Sequence, residues 1–155
     1  MAVKKTFPNF PICLAMGDTV LSSRMELVLA DEGYDVRPFT SAKKLWESFP
    51  ARRPRFIITE EIFKDGFSGL DLCRSVRQHY LLPYVYIHVI SRRNETAEIQ
   101  EALDAGCNDY SCKPVGALQV RARVLVGLRW LAYLDSLYSP RQQTATPPST
   151  SKIPA

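Results

Sequence analysis

Four groups of residues that could do chemistry follow short apolar runs of the sequence. They are Met16-Gly17-Asp18, the acidic pair Glu60-Glu61, Ser91 and Lys113-Pro114. A hard cation such as Mg²⁺ would need oxygen ligands, which the carboxylates could supply. Met16 offers only a thioether and Gly17 no side chain, so the first group is poor in metal-binding chemistry.

These groups meet only if strands and helices alternate along the chain. Apolar runs near residues 11–16, 34–39, 55–59, 84–90 and 108–112 are typical of strands, and helical spacing follows each of them. The second helix is expected to end at Phe49, because Pro50 follows. The pattern predicts an α/β fold, a doubly wound parallel sheet of five strands with helices on both faces. Functional residues then gather at the carboxyl ends of the strands.

Charge and composition divide the chain into an extension (1–10), a globular domain (11–138) and a Pro/Ser/Thr-rich tail (139–155) that we expect to be disordered. The net charge of +4 comes from four basic residues outside 11–138. The domain itself is neutral, which argues against nucleic-acid binding, and Arg92-Arg93 is interpreted as a solvated loop pair. No apolar run is long enough for a membrane span.

Cysteines and histidines do not form a metal-binding pattern. The four cysteines lack Cys-x-x-Cys spacing and lie among apolar residues, which favours buried, reduced thiols in a cytoplasmic protein. His88 lies inside an apolar strand, so we interpret it as a hydrogen-bonded core residue. We therefore expect no metal and no cofactor.

Three segments resemble the receiver domain of bacterial two-component response regulators. The strongest is Asp104-Ala-Gly-Cys-Asn-Asp-Tyr-Ser-Cys-Lys-Pro-Val115, and Gly69-Leu-Asp-Leu-Cys and Gly33-Tyr-Asp-Val add to it. The resemblance covers about residues 11–134 and implies the strand order 2-1-3-4-5. It also implies phosphoryl transfer from a histidine kinase to an aspartate, with Mg²⁺ held by an acidic pair.

The family's functional positions are only partly kept. Counting back from Gly69 places the phosphoacceptor position on Glu61, a glutamate instead of aspartate. The acidic pair falls on Met16 and Gly17, while Asp18 lies one residue late, either as a residual carboxylate or as a helix cap. The positions that respond to the phosphoryl group in the family are kept: they are Ser91, Tyr110, Lys113 and Pro114.

We therefore expect a pseudo-receiver, a non-enzymatic signalling module that binds protein partners without being phosphorylated. The alternative is a phospho-accepting receiver that uses Asp18 and Glu61 in a distorted site. A role as the regulatory domain of a longer protein is compatible with the first hypothesis. Two further expectations concern geometry: an ion pair between Glu61 and Lys113, and a cis bond at Lys113-Pro114.

The partner surface is expected on the fourth helix, fifth strand and fifth helix, either in a homodimer or against another protein. The last helix carries more apolar residues than its core face needs, among them Trp130 and Tyr133. Asp109 and Arg123 are spaced as in the cross-dimer ion pair of receivers that dimerise through this face. They could equally pair within one chain.

Overall fold

The structure, a computed structural model, describes residues 10–138 of the 155-residue chain. The predicted extension, apart from Phe10, and the predicted tail lie outside the described residues. Strands and helices alternate in the order β1 (Ile12–Ala15), α1 (Thr19–Asp31), β2 (Val36–Phe39), α2 (Ala42–Arg52), β3 (Phe56–Glu60), α3 (Gly69–His79), β4 (Tyr86–Ser91), α4 (Thr96–Ala105), β5 (Asp109–Cys112) and α5 (Ala117–Leu137). Within this part of the chain, no helix is both long and apolar enough to span a membrane.

The strands form one parallel sheet in the order β2-β1-β3-β4-β5, as predicted. Ala15 pairs with Thr59, Glu60 with Ile90, and Ser91 with Cys112. This register brings the carboxyl ends of β1, β3, β4 and β5 to the same edge of the sheet.

Two hydrophobic layers cover the two faces of the sheet. One layer joins the sheet to α2, α3 and α4, and the other joins it to α1 and α5. Every residue of β1, β3 and β4 is buried, which explains why these strands read as continuous apolar runs. Helix α5 packs on the sheet through a face that includes the buried side chains of Val120, Val124, Leu128 and Leu131.

The second helix continues beyond the predicted end. It runs through Pro50 to Arg52, so the prediction that it ends at Phe49 is wrong. Pro50 lies in the last turn, where its missing N–H removes a single backbone bond. Arg53 caps the end of the helix: it has a left-handed backbone (φ 45°) and donates its N–H to the Phe49 carbonyl.

The start of α3 lies directly on the carboxyl end of β3. A Cβ atom on Gly69 would lie 2.2 Å from the Glu60 carbonyl oxygen, so no side chain fits there. The Gly69 N–H instead donates to the Glu61 carbonyl at 2.7 Å. This close approach holds the two glutamates at the edge of the sheet where β1, β4 and β5 also end.

Candidate functional site

A cavity of about 670 Å³ opens at the carboxyl ends of the strands. Predicted site residues meet there, as the parallel sheet requires. Those that line it are Gly17, Asp18, Glu60, Glu61, Ser91 and Lys113.

Lys113 lies between two carboxylates. Its ammonium donates a hydrogen bond to Glu60 Oε1 at 3.0 Å, and Asp18 Oδ2 is 3.8 Å away. The Lys113-Pro114 bond is cis, as predicted. The predicted ion pair between Lys113 and Glu61 is wrong, because successive side chains of an extended chain point to opposite sides, and Glu60 is the one that reaches Lys113.

Glu61 is also buried, with only 2% of its surface exposed, and it has its own partners. Its Oε1 accepts a hydrogen bond from Arg93 Nη1 at 3.1 Å, and its Oε2 accepts one from the Tyr110 hydroxyl at 3.1 Å. The interpretation of Arg93 as a solvated loop charge is therefore wrong. No spacing in the sequence signals this contact, since Glu61 and Arg93 are 32 residues apart.

Ser91 and Tyr110 lie beside this carboxylate. Ser91 is buried, and its Oγ accepts a hydrogen bond from the Arg93 N–H at 3.1 Å. The single proton of the Tyr110 hydroxyl is shared between Glu61 Oε2 at 3.1 Å and the Arg93 carbonyl at 2.8 Å. Burial raises the pKa of Tyr110 to about 12, so the phenol stays protonated and remains a donor at neutral pH.

The residues present do not fit the Mg²⁺ ion that the resemblance implies. Met16 is buried in the apolar layer, and Gly17 contributes only its N–H, which faces Glu60 Oε2 at 3.3 Å. Asp18 caps α1 by accepting a hydrogen bond from the Leu21 N–H at 3.0 Å, and this bond lowers the pKa of its carboxyl. The Lys113 ammonium already supplies the positive charge between Asp18 and Glu60. Of the two readings of Asp18, the helix cap is the one observed.

His88 and three of the four cysteines lie apart from this chemistry. Cys112 is only half-buried, so the expectation of a buried thiol is wrong there, and its Sγ donates to the Arg93 carbonyl at 3.5 Å. His88 is a core residue, as interpreted: its Nε2 is 2.7 Å from Ser111 Oγ, and burial lowers its pKa to about 4. Burial raises the pKa of three thiols, to about 11 for Cys13, about 12 for Cys73 and about 11 for Cys107. Among residues 10–138, no three His, Cys, Asp or Glu side chains are grouped as metal ligands would be.

The outer face of α5 carries an exposed apolar stripe, made of Val126, Trp130, Tyr133 and Leu137. These residues follow one another at spacings of four, three and four, the period of a helix seam. Asp109 of β5 and Arg123 of α5 pair within one chain at 3.3 Å. The ion pair lies at the β5 side of α5, next to the stripe.

Comparison with known proteins agrees with this architecture. Residues 12–125 match the family model of the response regulator receiver domain. The KDP operon transcriptional regulatory protein KdpE of Escherichia coli is 37% identical over 109 residues, which cover 68% of this chain and 46% of KdpE. The transcriptional regulatory protein CseB of Streptomyces coelicolor is 29% identical over 112 residues, which cover 72% of this chain and 46% of CseB. The chain thus spans about half the length of these curated relatives.

Solved structures show the same fold. The crystal structure of a two-component response regulator from Clostridium difficile superimposes with a TM-score of 0.70 and 24% sequence identity. The match covers 77% of this chain and 96% of that one. At this identity the likeness establishes the arrangement of the sheet and helices.

Proposed function

The chain belongs to the response regulator receiver domain family, and we propose that it is an atypical receiver that signals by binding a protein partner without being phosphorylated. One observation carries the proposal: the Lys113 ammonium lies between Glu60 and Asp18, while Met16 and Gly17 supply no oxygen side chain. A phosphoryl group in transfer needs a cation to offset its developing charge, and this site lacks the ligands for one.

We place the acceptor position of this atypical site at Glu60, not at Glu61 as counted from Gly69. Glu60 ends β3, next to the end of β1, and its carboxylate meets both the Gly17 N–H and Lys113. Glutamate is one methylene longer than aspartate, and a nucleophile displaced by about 1 Å can lose on the order of 100-fold in rate. With its carboxylate already paired to Lys113, Glu60 is better suited to hold the site closed than to attack a phosphorus atom.

Incubation with acetyl phosphate and Mg²⁺, followed by intact-mass measurement, tests the proposal. We expect no added phosphate on the native chain. The matched variant is Met16→Asp/Gly17→Asp/Glu60→Asp, which restores the family's residue types at these positions. A Cβ at Gly17 has room, since its nearest neighbour would be Phe63 Cδ1 at 3.6 Å. Stoichiometric, Mg²⁺-dependent phosphate on the native chain would overturn the proposal and favour the alternative, a phospho-accepting receiver with a distorted site.

For the partner surface we propose the α4–β5–α5 face, with a second copy of the chain as the occupant. The apolar stripe on α5 supports this proposal, because its four residues are 43–56% exposed and two of them are aromatic. The Asp109–Arg123 ion pair borders the same face and can exchange partners across a two-fold axis.

Sedimentation at tens of micromolar tests the homodimer. We expect a dimer for the native chain and a monomer for Trp130→Glu. Leu27→Glu is the matched control, because Leu27 is 73% exposed on α1, which is not part of the proposed α4–β5–α5 face, and its replacement should leave the dimer intact. A native chain that sediments as a monomer, unaffected by Trp130→Glu, would rule out the homodimer.

A second proposal is that the domain regulates a longer protein. Two observations support it: the exposed stripe continues to Leu137 at the end of α5, and the two relatives described above are about twice as long as the matched region. The length of the complete gene tests it.

A further inference from the structure

The loop between β4 and α4 is tied to the sheet through one buried carboxylate. One carboxylate oxygen of Glu61 accepts a hydrogen bond from Arg93 and the other accepts one from Tyr110, each at 3.1 Å. Glu61 follows β3 and Tyr110 belongs to β5, so this single side chain connects the loop to strands on either side of β4.

Arg93 is held at several further points. Its Nε donates to Glu98 Oε1 at 2.8 Å, and its N–H donates to Ser91 Oγ at 3.1 Å. Its carbonyl lies 2.8 Å from the Tyr110 hydroxyl and shares that single proton with Glu61. The hydrogen bond with Glu98 raises the pKa of the guanidinium and lowers that of the carboxyl. Backbone and side chain of Arg93 are therefore both anchored, and Glu98 extends the contact into the first turn of α4.

We propose that Glu61, Arg93 and Tyr110 form a built-in clasp, a permanent anion with its two donors, that sets the conformation of the β4–α4 loop and of Tyr110. The inference rests on the proposed function, since it explains how the α4–β5–α5 face keeps one arrangement when no phosphoryl group arrives. Unlike a phosphoryl group, a carboxylate of the chain itself does not have to be supplied by a phosphodonor and cannot be removed by hydrolysis.

The clasp is separate from the neighbouring ion pair. Lys113 contacts Glu60 and Asp18, whereas the hydrogen bonds of Glu61 are made by Arg93 and Tyr110. Two adjacent buried acids thus serve different parts of the molecule: Glu60 joins β3 to the loop after β5, and Glu61 joins β3 to the loop after β4. This separation provides a matched control, because Glu60→Gln removes another buried charge one residue away.

Hydrogen exchange of the full chain tests the clasp. In Glu61→Gln we expect the amides of residues 92–98 to exchange at least about tenfold faster, relative to β1 amides of the same sample. The reason is that the β4–α4 loop can then open without breaking hydrogen bonds to a charged carboxylate. In Glu60→Gln the same ratio should change by less than about twofold. Referring the rates to β1 removes any general loss of stability, which accelerates both segments alike.

Tyr110→Phe is the second variant, and it keeps the ring while removing the hydroxyl donor. It should also accelerate exchange in residues 92–98. The double variant Glu61→Gln/Tyr110→Phe should accelerate exchange by less than the sum of the two single effects. If Glu61→Gln does not fold, Tyr110→Phe and Arg93→Met decide the matter. The clasp is disproved if these variants change the exchange rate of residues 92–98, relative to β1, no more than Glu60→Gln does. Phosphate incorporation into the native chain would instead refute the proposed function and leave the exchange result standing.

Discussion

The two halves of the candidate site differ in which residue types they keep and in how their side chains are paired. On one side, the metal half (Met16, Gly17 and Asp18) retains one carboxylate, which caps α1. On the other side, the readout half (Ser91, Tyr110 and Lys113) keeps the family's residue types, and hydrogen bonds tie it to Glu60 and Glu61. The metal half thus offers a single carboxylate, whereas Lys113 and Tyr110 of the readout half are paired with buried glutamates.

The difference shows that the two halves meet separate physical requirements. A metal site needs several oxygen ligands, and loss of two of them removes its function. The readout half needs an anion near a lysine and a tyrosine, and any buried carboxylate in the right place can supply one. The comparison therefore predicts that substitutions of the charged residues paired in the readout half cost much stability, whereas replacement of Gly17 in the metal half costs little.

The largest effect is expected for Lys113→Met. This change leaves Glu60 buried without its cation, and removal of one partner of a buried ion pair costs about 3 kcal/mol in the free energy of unfolding. Urea denaturation measures the loss. Lys64→Met, on an exposed loop of the same cavity, should stay within about 0.5 kcal/mol of the native chain. Part of the loss should return in Lys113→Met/Glu60→Gln, where neither charge remains.

The next effect is expected for Glu61→Gln, at about 2 kcal/mol, because it weakens charge-assisted hydrogen bonds in a buried site. The same urea titration gives the value. Asp31→Asn is the matched control, since it neutralises an exposed acid on α1 and should change stability by less than about 0.5 kcal/mol. Equal effects of the two substitutions would mean that Glu61 does not anchor the readout half.

The smallest effect is expected for Gly17→Ala, in the metal half. A Cβ there meets its nearest atom at 3.6 Å, an ordinary contact, and the N–H that faces Glu60 is kept. We expect a gain of about 0.5 kcal/mol, since alanine restricts the unfolded chain. Thermal unfolding measures it. A loss comparable to that of Lys113→Met would break the comparison between the two halves.

Gly106→Ala serves as the contrasting control for this last substitution. Gly106 has a φ of +101°, and a Cβ there would lie 2.7 Å from Arg77 Cγ. Strain and crowding should therefore cost more than about 1 kcal/mol. Comparing Gly17→Ala with Gly106→Ala shows whether alanine is tolerated specifically at position 17 or at any glycine of the domain.

Glu60 and Glu61 show where sequence reasoning reaches its limit. Counting back from Gly69 places the phosphoacceptor position at Glu61, but this count assumes that the loop between them has the family's length. The strand register supports the proposed acceptor position at Glu60, because Thr59 pairs with Ala15 and Glu60 therefore comes directly after the level at which β1 ends. Arg93 is harder still, because its contact with Glu61 depends on how the loop after β4 folds back over the end of β3.

The sequence by itself determined the fold, the strand order through its resemblance, and the absence of side-chain oxygen at Met16 and Gly17. Such features follow from local patterns: apolar runs, helical spacing and the type of a residue at a strand end. Only the tertiary structure decided which glutamate meets Lys113 and that Arg93 neutralises the other. Those pairings join residues that are 53 and 32 positions apart. They depend on differences of an ångström in side-chain direction, which the one-dimensional pattern does not encode.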